Sequence, residues 1–313
     1  MVIRMRRVWT WPILAFVVAC TAHQGSARVI DVGPAQQLKL PSQAAVIARQ
    51  GDTIRIAPGE YTDCAIWRAG GLTIEGSGTG ATIAGKSCAG KGIFIIDGDN
   101  VTVRNLTFAR AAAPDRNGAG IRAEGHNLTI DNSHFVDNEN GVLAAIIAGG
   151  TIRILDSEFH GNGKCDPQCA HGIYVNKIEL LDIEHSRFLN QHQGHHIKSR
   201  ALRTVLIGND IADGTTGNSS YLVDISNGGD LLMQDNTMEK GPHSENDDTG
   251  VAIGAEGAKN PTNELIIRGN TFTNDMARPT TFVHNRTTTP AILSGNHLHG
   301  AVTPLLGPGS VSP

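Results

Sequence analysis

The stretch Gly194-His195-His196-Ile197-Lys198-Ser199-Arg200-Ala201 sets two histidines, a lysine and an arginine close together in a chain of net formal charge −4. In an extended strand alternate side chains share a face. His196, Lys198 and Arg200 are then expected on one face and Ile197 on the other. Such a row carries reagents for abstracting a proton beside a carboxylate and expelling a leaving group, a β-elimination. Arg200 suits a bidentate clamp on a substrate carboxylate. Lys198, flanked by His196 and Arg200, is expected to have its pKa lowered by like charge and to act as base. Tyr174 or His196 is then the acid that assists the leaving oxygen.

The strands that position these residues share a recurring pattern: "GIFII" at 92, "GIRAE" at 120, "GVLAA" at 141, "GIYVN" at 172, "GHHIK" at 194 and "GVAIG" at 250, with "SYLVD" at 220 and "TTFVH" at 280 in the same place. Aligned on the first residue, they give an outward column containing Glu124, Asn176, Lys198, Asp224 and His284. Arg122, Tyr174 and His196 lie two positions earlier. Asn176, Asp224, Arg122 and Glu124 are therefore expected to contact substrate beside the catalytic candidates. Long loops before Tyr174, Tyr221 and Val251 are expected to wall a groove. Hydrolysis ranks below elimination, because a glycosidase needs two carboxylates ~5–9.5 Å apart. Glu124 and Asp224 fall four coils apart, roughly 19 Å at the strand spacing. Calcium held by Asp224, Asn176 or the Asp247–Asp248 loop is left open, since no strand-borne acid cluster demands a metal.

A second periodicity runs in step with the first. "VTVRNLTF" at 101, "LTIDNSHF" at 128, "IRILDSEF" at 152 and "LDIEHSRF" at 181 each place a Phe five residues after an apolar anchor. The anchors are Ile74, Val103, Ile130, Ile154, Ile183, Leu206, Met233, Ile267 and Leu293. The later coils replace the Phe with Ile211, Met238, Phe272 and Leu298. Repeats this short bury a continuous core only by stacking. Ser133, Ser157 and Ser186, followed by Asn209, Asn236, Asn270 and Asn296, hold one place in successive repeats and predict a side-chain ladder. The open N-terminal end needs a cap. "SQAAVIARQG" at 42–51 predicts a helix with Ser42 as N-cap and Gly51 as stop. Residues 28–300 are read as one solenoid domain and 301–313 as an irregular tail.

Residues 1–27 read as an export signal: Arg4, Arg6 and Arg7, then an apolar run from Trp9 to Ala19 too short to span a membrane, with cleavage after Ala27. "VVAC" at 17–20 equally allows lipidation of Cys20. Periplasmic or extracellular location, free or lipid-anchored, is the expectation. Cys64, Cys88, Cys165 and Cys169 remain, an even number that predicts two disulfides in an oxidising compartment. Cys64 and Cys88 are about one coil apart, and Cys165 and Cys169 bracket a single loop. The acidic balance gives no footprint for nucleic acid.

"GDTIRIAPGEY" at 51, "LTIDNSHFVDNENGV" at 128 and "HGIYV" at 171 resemble the pectate-lyase-like superfamily over about residues 40–300. The resemblance implies an all-β fold: a single-stranded right-handed parallel β-helix with an N-terminal capping helix. It also implies an anionic polysaccharide as partner, bound along an outer face. The superfamily holds polysaccharide lyases, hydrolases, epimerases and non-catalytic surface proteins, and fold alone does not choose among them. The Arg-x-Pro-x-x-Arg pattern of pectate lyases and the Asp-Pro-His-Asp motif of alginate epimerases are absent, so no named specificity carries over. A polysaccharide lyase is the expectation. A non-catalytic glycan-binding β-helix, a hydrolase and an epimerase are the alternatives.

Overall fold

The computed structural model describes residues 1–3 and 27–313. Arg4, Arg6, Arg7, the run from Trp9 to Ala19 and Cys20 lie outside the described residues. From Val29 the chain winds as a parallel β-solenoid. One turn comprises Thr53–Ile56, Gly59–Tyr61 and Ala65–Trp67, after which Thr73–Gly76 returns beside Thr53–Ile56. Repetition builds three parallel sheets of 12, 10 and 10 strands, called first, second and third in chain order within a turn.

The apolar anchors stack as their spacing predicts. Ile74, Val103, Ile130, Ile154, Ile183, Leu206, Met233, Ile267 and Leu293 are successive partners in the first sheet. Phe108, Phe135, Phe159 and Phe188 do the same in the second, with ring centroids 5.3, 4.5 and 4.7 Å apart. Each buried Phe contributes about 1.5–3 kcal/mol by burial and each stacked pair roughly 0.5–1.5 kcal/mol more.

Where the chain bends between these sheets, a backbone N–H loses its strand partner. The predicted ladder satisfies it. Ser133 N–H donates to Ser157 Oγ at 3.1 Å and Ser186 N–H to Asn209 Oδ1 at 2.9 Å. Asn209 Nδ2 donates to Asn236 Oδ1 at 3.0 Å, and Asn236 Nδ2 to Asn270 Oδ1 at 2.8 Å.

The cap differs from expectation. The helix is Pro41–Ile47. Pro41 takes the first helical position, where its missing N–H costs nothing, so Ser42 lies inside the first turn rather than at the N-cap. Gln43 Oε1 instead accepts the Leu40 N–H at 3.1 Å. Gly51 falls beyond the helix in the turn to the next strand, at φ +81°. Pro41 and Ala44 supply the buried face, while Val46 and Ile47 are exposed.

The far end is also more regular than its composition implies. Val302–Leu306 and Gly309–Ser312 add strands to the third and first sheets. Val302–Leu306 is an edge strand, where Pro304 is tolerated. Both disulfides form, Cys64–Cys88 and Cys165–Cys169. Among the described residues no helix is long and apolar enough to cross a membrane.

Candidate functional site

The candidate site lies on the outer face of the third sheet. Its register sets Arg122, Leu143, Tyr174, Lys198, Asp224, Ala252 and His284 in one column. Ile197 packs in the core between Ile173 and Val223, as alternation requires. Neighbouring positions in a column are ~4.8 Å apart, so Tyr174, Lys198 and Asp224 form one row along the solenoid axis.

This register corrects the alignment on glycine. Tyr174 lies beside Lys198 rather than His196, and Asn176 lies level with Arg200 rather than Lys198. Ile95, placed inside by that alignment, pairs with Arg122 on the outer column. The glycines serve two purposes. A Cβ at Gly172 would lie 2.5 Å from the His196 carbonyl oxygen, so Gly172 is fixed by close approach inside the strand register. Gly194 is fixed by its φ of +60° in the preceding turn, two places off.

The polar groups converge. Lys198 Nζ donates to Asp224 Oδ2 at 3.1 Å and to Glu256 Oε1 at 2.7 Å. Arg200 holds the second oxygen of Glu256, with Nη2 at 2.6 Å and Nε at 3.0 Å. Arg200 Nη1 also donates to Tyr174 Oη and, at 3.2 Å, to Asn176 Oδ1. Ser226 Oγ donates to Asp224 Oδ2 at 2.7 Å, while Asp224 Oδ1 is buried without a partner. Asp224 is 2% exposed, Lys198 11%, Arg200 25% and Glu256 34%, so Asp224 is the floor and Glu256 the rim.

The expected pKa depression of Lys198 does not occur. Burial favours its neutral amine, but Asp224 and Glu256 together outweigh burial and raise the pKa, so Lys198 is held as a cation. Burial raises the Tyr174 hydroxyl against the pull of Arg200 and Lys198. Glu256 is held below the usual carboxylate range, where Lys198 and Arg200 overcome its partial burial.

His196 is not among the groups on the outer face. It is 1% exposed and its Nε2 meets Asp213 Oδ1 at 2.9 Å in a buried turn that Ser244 completes. His195, its neighbour, is the histidine at the floor: Nε2 lies 3.6 Å from Asp224 Oδ2. A second ladder, not read from the sequence, holds it. His171, His195 and Tyr221 stack with centroids 4.8 and 5.0 Å apart. His171 Nδ1 accepts the His195 N–H at 3.0 Å, and His195 Nδ1 accepts the Tyr221 N–H at 3.0 Å. Each neutral ring therefore carries its proton on Nε2. Burial pushes His195 down to about 4 and His171 well below its ordinary value.

The remaining candidates lie apart. Arg122 and Glu124 pair with each other at 3.2 Å, and Lys91 joins Glu124 at 2.7 Å, with Leu143 between Arg122 and Tyr174. Asp247 and Asp248 are held by Arg278 and Arg286, both at 2.9 Å, rather than reaching Asp224. The three groups considered for calcium thus remain separate. Among the described residues no group of three His, Cys, Asp or Glu is placed to hold a metal ion.

A family model for the right-handed β-helix region matches residues 66–238, more than half of the chain. The chain belongs to the right-handed β-helix family. No curated protein matches it in sequence. Among solved structures, an alginate lyase from Paenibacillus sp. str. FPU-7 is similar over 90% of this chain and 99% of its own, at 16% identity and a TM-score of 0.61. The A-module of a mannuronan C-5 epimerase from Azotobacter vinelandii covers 87% and 93% at 14% identity and a TM-score of 0.46. A pectin methylesterase from Erwinia chrysanthemi covers 80% of each chain at 13% identity and a TM-score of 0.44. The alginate lyase likeness corroborates the β-helix fold.

On this β-helix the wall missing from the sequence reading is the turn Gly254–Asn260. Glu256 N–H donates to Ser226 O at 2.8 Å and Asn260 Nδ2 to Ala201 O at 3.0 Å, which pins the turn beside Arg200. That turn brings a second carboxylate near Asp224, because both contact the Lys198 ammonium. Two carboxylates on one ammonium invite comparison with a retaining glycosidase, but a general acid there needs a raised pKa. Glu256 is shifted the other way and Asp224 is buried. The arrangement is instead suited to receiving a carboxylate with two cations and moving a proton beside it.

Proposed function

We propose that the protein is a polysaccharide lyase that cleaves a uronic-acid-containing glycan by β-elimination on the outer face of the third sheet. The observation that carries this reading is one carboxylate, that of Glu256, shared between Lys198 and Arg200 on an open wall with the Tyr174 hydroxyl alongside. A site that grips a side-chain carboxylate in this way also fits the carboxylate of a uronate. The fold it shares with an alginate lyase supports a carbohydrate-active role. The disulfides and the leader-like N-terminus support export.

Arg200 and Lys198 neutralise the sugar carboxylate, which acidifies the adjacent C–H and stabilises the charge that develops when its proton leaves. Because Lys198 is held charged, the roles expected from sequence exchange. Tyr174 acts in its ionised form: with its hydroxyl proton already given up to solvent, the phenolate oxygen takes the proton from carbon and becomes a hydroxyl again. The Lys198 ammonium, fixed over Asp224, gives a proton to the leaving glycosidic oxygen. Asn176 orients Arg200 and the Tyr174 hydroxyl, and Ser226 holds the Asp224 floor with His195 beside it.

The test is incubation with alginate and with polygalacturonate, following both ultraviolet absorbance of unsaturated ends and release of reducing ends. Absorbance is expected from the intact protein. Tyr174→Phe should lower it by about 10²–10⁴-fold, the usual weight of a proton-transfer group. Reducing ends without absorbance overturn elimination in favour of hydrolysis. Binding without either product leaves a glycan-binding module.

A further inference from the structure

Glu256 gives a separate oxygen to each of two cations, whereas Glu124 on the same sheet meets Lys91 and Arg122 through a single oxygen. Asp224 is buried and bonded from below, whereas the Glu256 carboxylate is a third exposed and fills the space between the two cations from above. Its two oxygens are divided between Lys198 and Arg200, the pattern a bound uronate would reproduce. We propose that Glu256 is an internal stand-in for the substrate carboxylate: it occupies the anion-receiving position in the free protein, and a uronate enters by displacing it. This rests on the polyuronate reading above.

Three features favour an exchange over simple addition. At rest the site holds two cations, Lys198 and Arg200, and two acids, Asp224 and Glu256, so its charges balance. Adding a third carboxylate would leave an excess negative charge beside a buried Asp. Exchanging Glu256 for a uronate preserves the balance. The exchange also needs no loop movement. The Glu256 main-chain N–H is anchored to Ser226 O at 2.8 Å, and Gly257 N–H closes the turn on Gly254 O at 3.0 Å. In this proposal the side chain alone rotates, from a position already a third exposed. Finally, Lys198 does not depend on Glu256 to stay in place, because Asp224 Oδ2 retains it at 3.1 Å. The other charges facing this position are those of Arg200, with Tyr174 and Asn176 as its neutral partners and His195 beneath.

A competitor within the site lowers apparent affinity by the fraction of molecules in which the site is free. If Glu256 occupies it in about nine molecules of ten, removing its charge tightens ligand binding roughly tenfold. The experiment is calorimetric titration of the full chain with short alginate and polygalacturonate oligomers. It compares the intact protein, Glu256→Gln, Glu256→Asp and Glu158→Gln. Glu158 lies on the second sheet, paired with Arg187, and its substitution makes the same change in net charge away from the site.

The expected result is about tenfold tighter binding for Glu256→Gln and no change for Glu158→Gln. Glu256→Asp, too short to reach both cations, should fall between the intact protein and Glu256→Gln. In turnover with the same oligomers, KM should fall for Glu256→Gln, whereas a purely structural role would lower thermal stability and leave KM unchanged or raised. Unchanged or weaker binding by folded Glu256→Gln overturns the stand-in role. An equal gain in Glu158→Gln does so too, because it assigns the effect to overall charge. Should Glu256→Gln fail to fold, Glu256→Asp decides by the same measure. Oligomer binding in which Glu256 substitution gives no gain leaves the polyuronate reading intact. Absence of oligomer binding by every variant removes that reading and this inference together.

Discussion

The buried histidine ladder makes a quantitative prediction about acid. His195 sits between His171 and Tyr221, with Asp224, Lys198, Lys240 and Glu256 as the charged groups around it. Burial lowers its pKa from 6.5 to about 4, so the folded protein resists a proton that the unfolded chain accepts. Between those values the unfolded state binds more protons, and stability must fall as pH falls. The contribution is fully present above pH 6.5 and is lost as pH drops through about 4. At about 1.36 kcal/mol per pH unit, His195 alone accounts for about 3 kcal/mol. His171 adds to the loss with the same sign. Asp52 and Asp213, both held at about 2, begin to weaken the fold only as pH falls below their ordinary value of 3.8. The histidine window is thus separate from the carboxylate window.

Urea unfolding at several pH values from 7 to 4 measures this directly. The intact protein should lose at least about 3 kcal/mol over the range. His195→Asn keeps an oxygen able to accept the Tyr221 N–H but removes the titrating ring. It should start less stable at pH 7, having lost its stacking partners, and show a shallower decline. A flat profile in the intact protein, or the same slope in His195→Asn and in the double variant with His171→Asn, refutes the buried neutral ladder.

Other consequences can be checked separately. Lys198→Arg keeps the charge but cannot readily release a proton, so oligomer affinity should persist within a few-fold while turnover falls by about 10²–10⁴. Because burial raises Tyr174 and its ionised oxygen is the proposed base, kcat/KM should climb from pH 7 toward 10, and a maximum below neutrality argues against that role. Asn236→Ala removes the partner of two Asn209 N–H donors and frees the Leu206 carbonyl. At about 1–3 kcal/mol for each buried group left unpaired, it should cost more than any exposed Asn substitution in urea unfolding. Replacing both Cys64 and Cys88 with Ser should cost about 3.5 kcal/mol, and the shorter Cys165–Cys169 loop about 2 kcal/mol, on the loop-entropy estimate.

Much of the fold was legible because two sheets announce themselves in the sequence. Ile74 through Leu293 and Phe108 through Leu298 repeat with alternation, and their polar companions Ser133 through Asn296 occupy one turn whose N–H groups need acceptors. The third sheet was harder. Its glycines answer different constraints, and treating Gly194 like Gly172 displaced the alignment by two residues. A shift of two leaves inside and outside unchanged, which is why Ile197 and Lys198 were assigned to the correct faces while the neighbours of Tyr174 and Asn176 were not. The capping helix misled in a different way. Ser42 and Gly51 carry the usual signals, but Pro41 at the first helical position and Gln43 facing Leu40 fix the start earlier.

The electrostatics were the least legible. Sequence spacing gives the column in which a residue stands, not how far its side chain reaches along the axis. Glu256 comes from a turn two coils beyond Lys198, and its three side-chain torsions let it bridge both cations across that distance. Without it, Lys198 reads as a lysine crowded by Arg200 and a histidine, and a lowered pKa follows. With Glu256 and Asp224 both in contact, the same lysine is a fixed cation. His196 is the second neighbour in that expectation, yet Asp213 draws it into a buried turn, and His195 takes the place beside Asp224. The row of basic residues along one strand is therefore one side of a charge-balanced cluster whose acids come from later coils. Whether that balance can be exchanged for a substrate carboxylate decides how the site is opened.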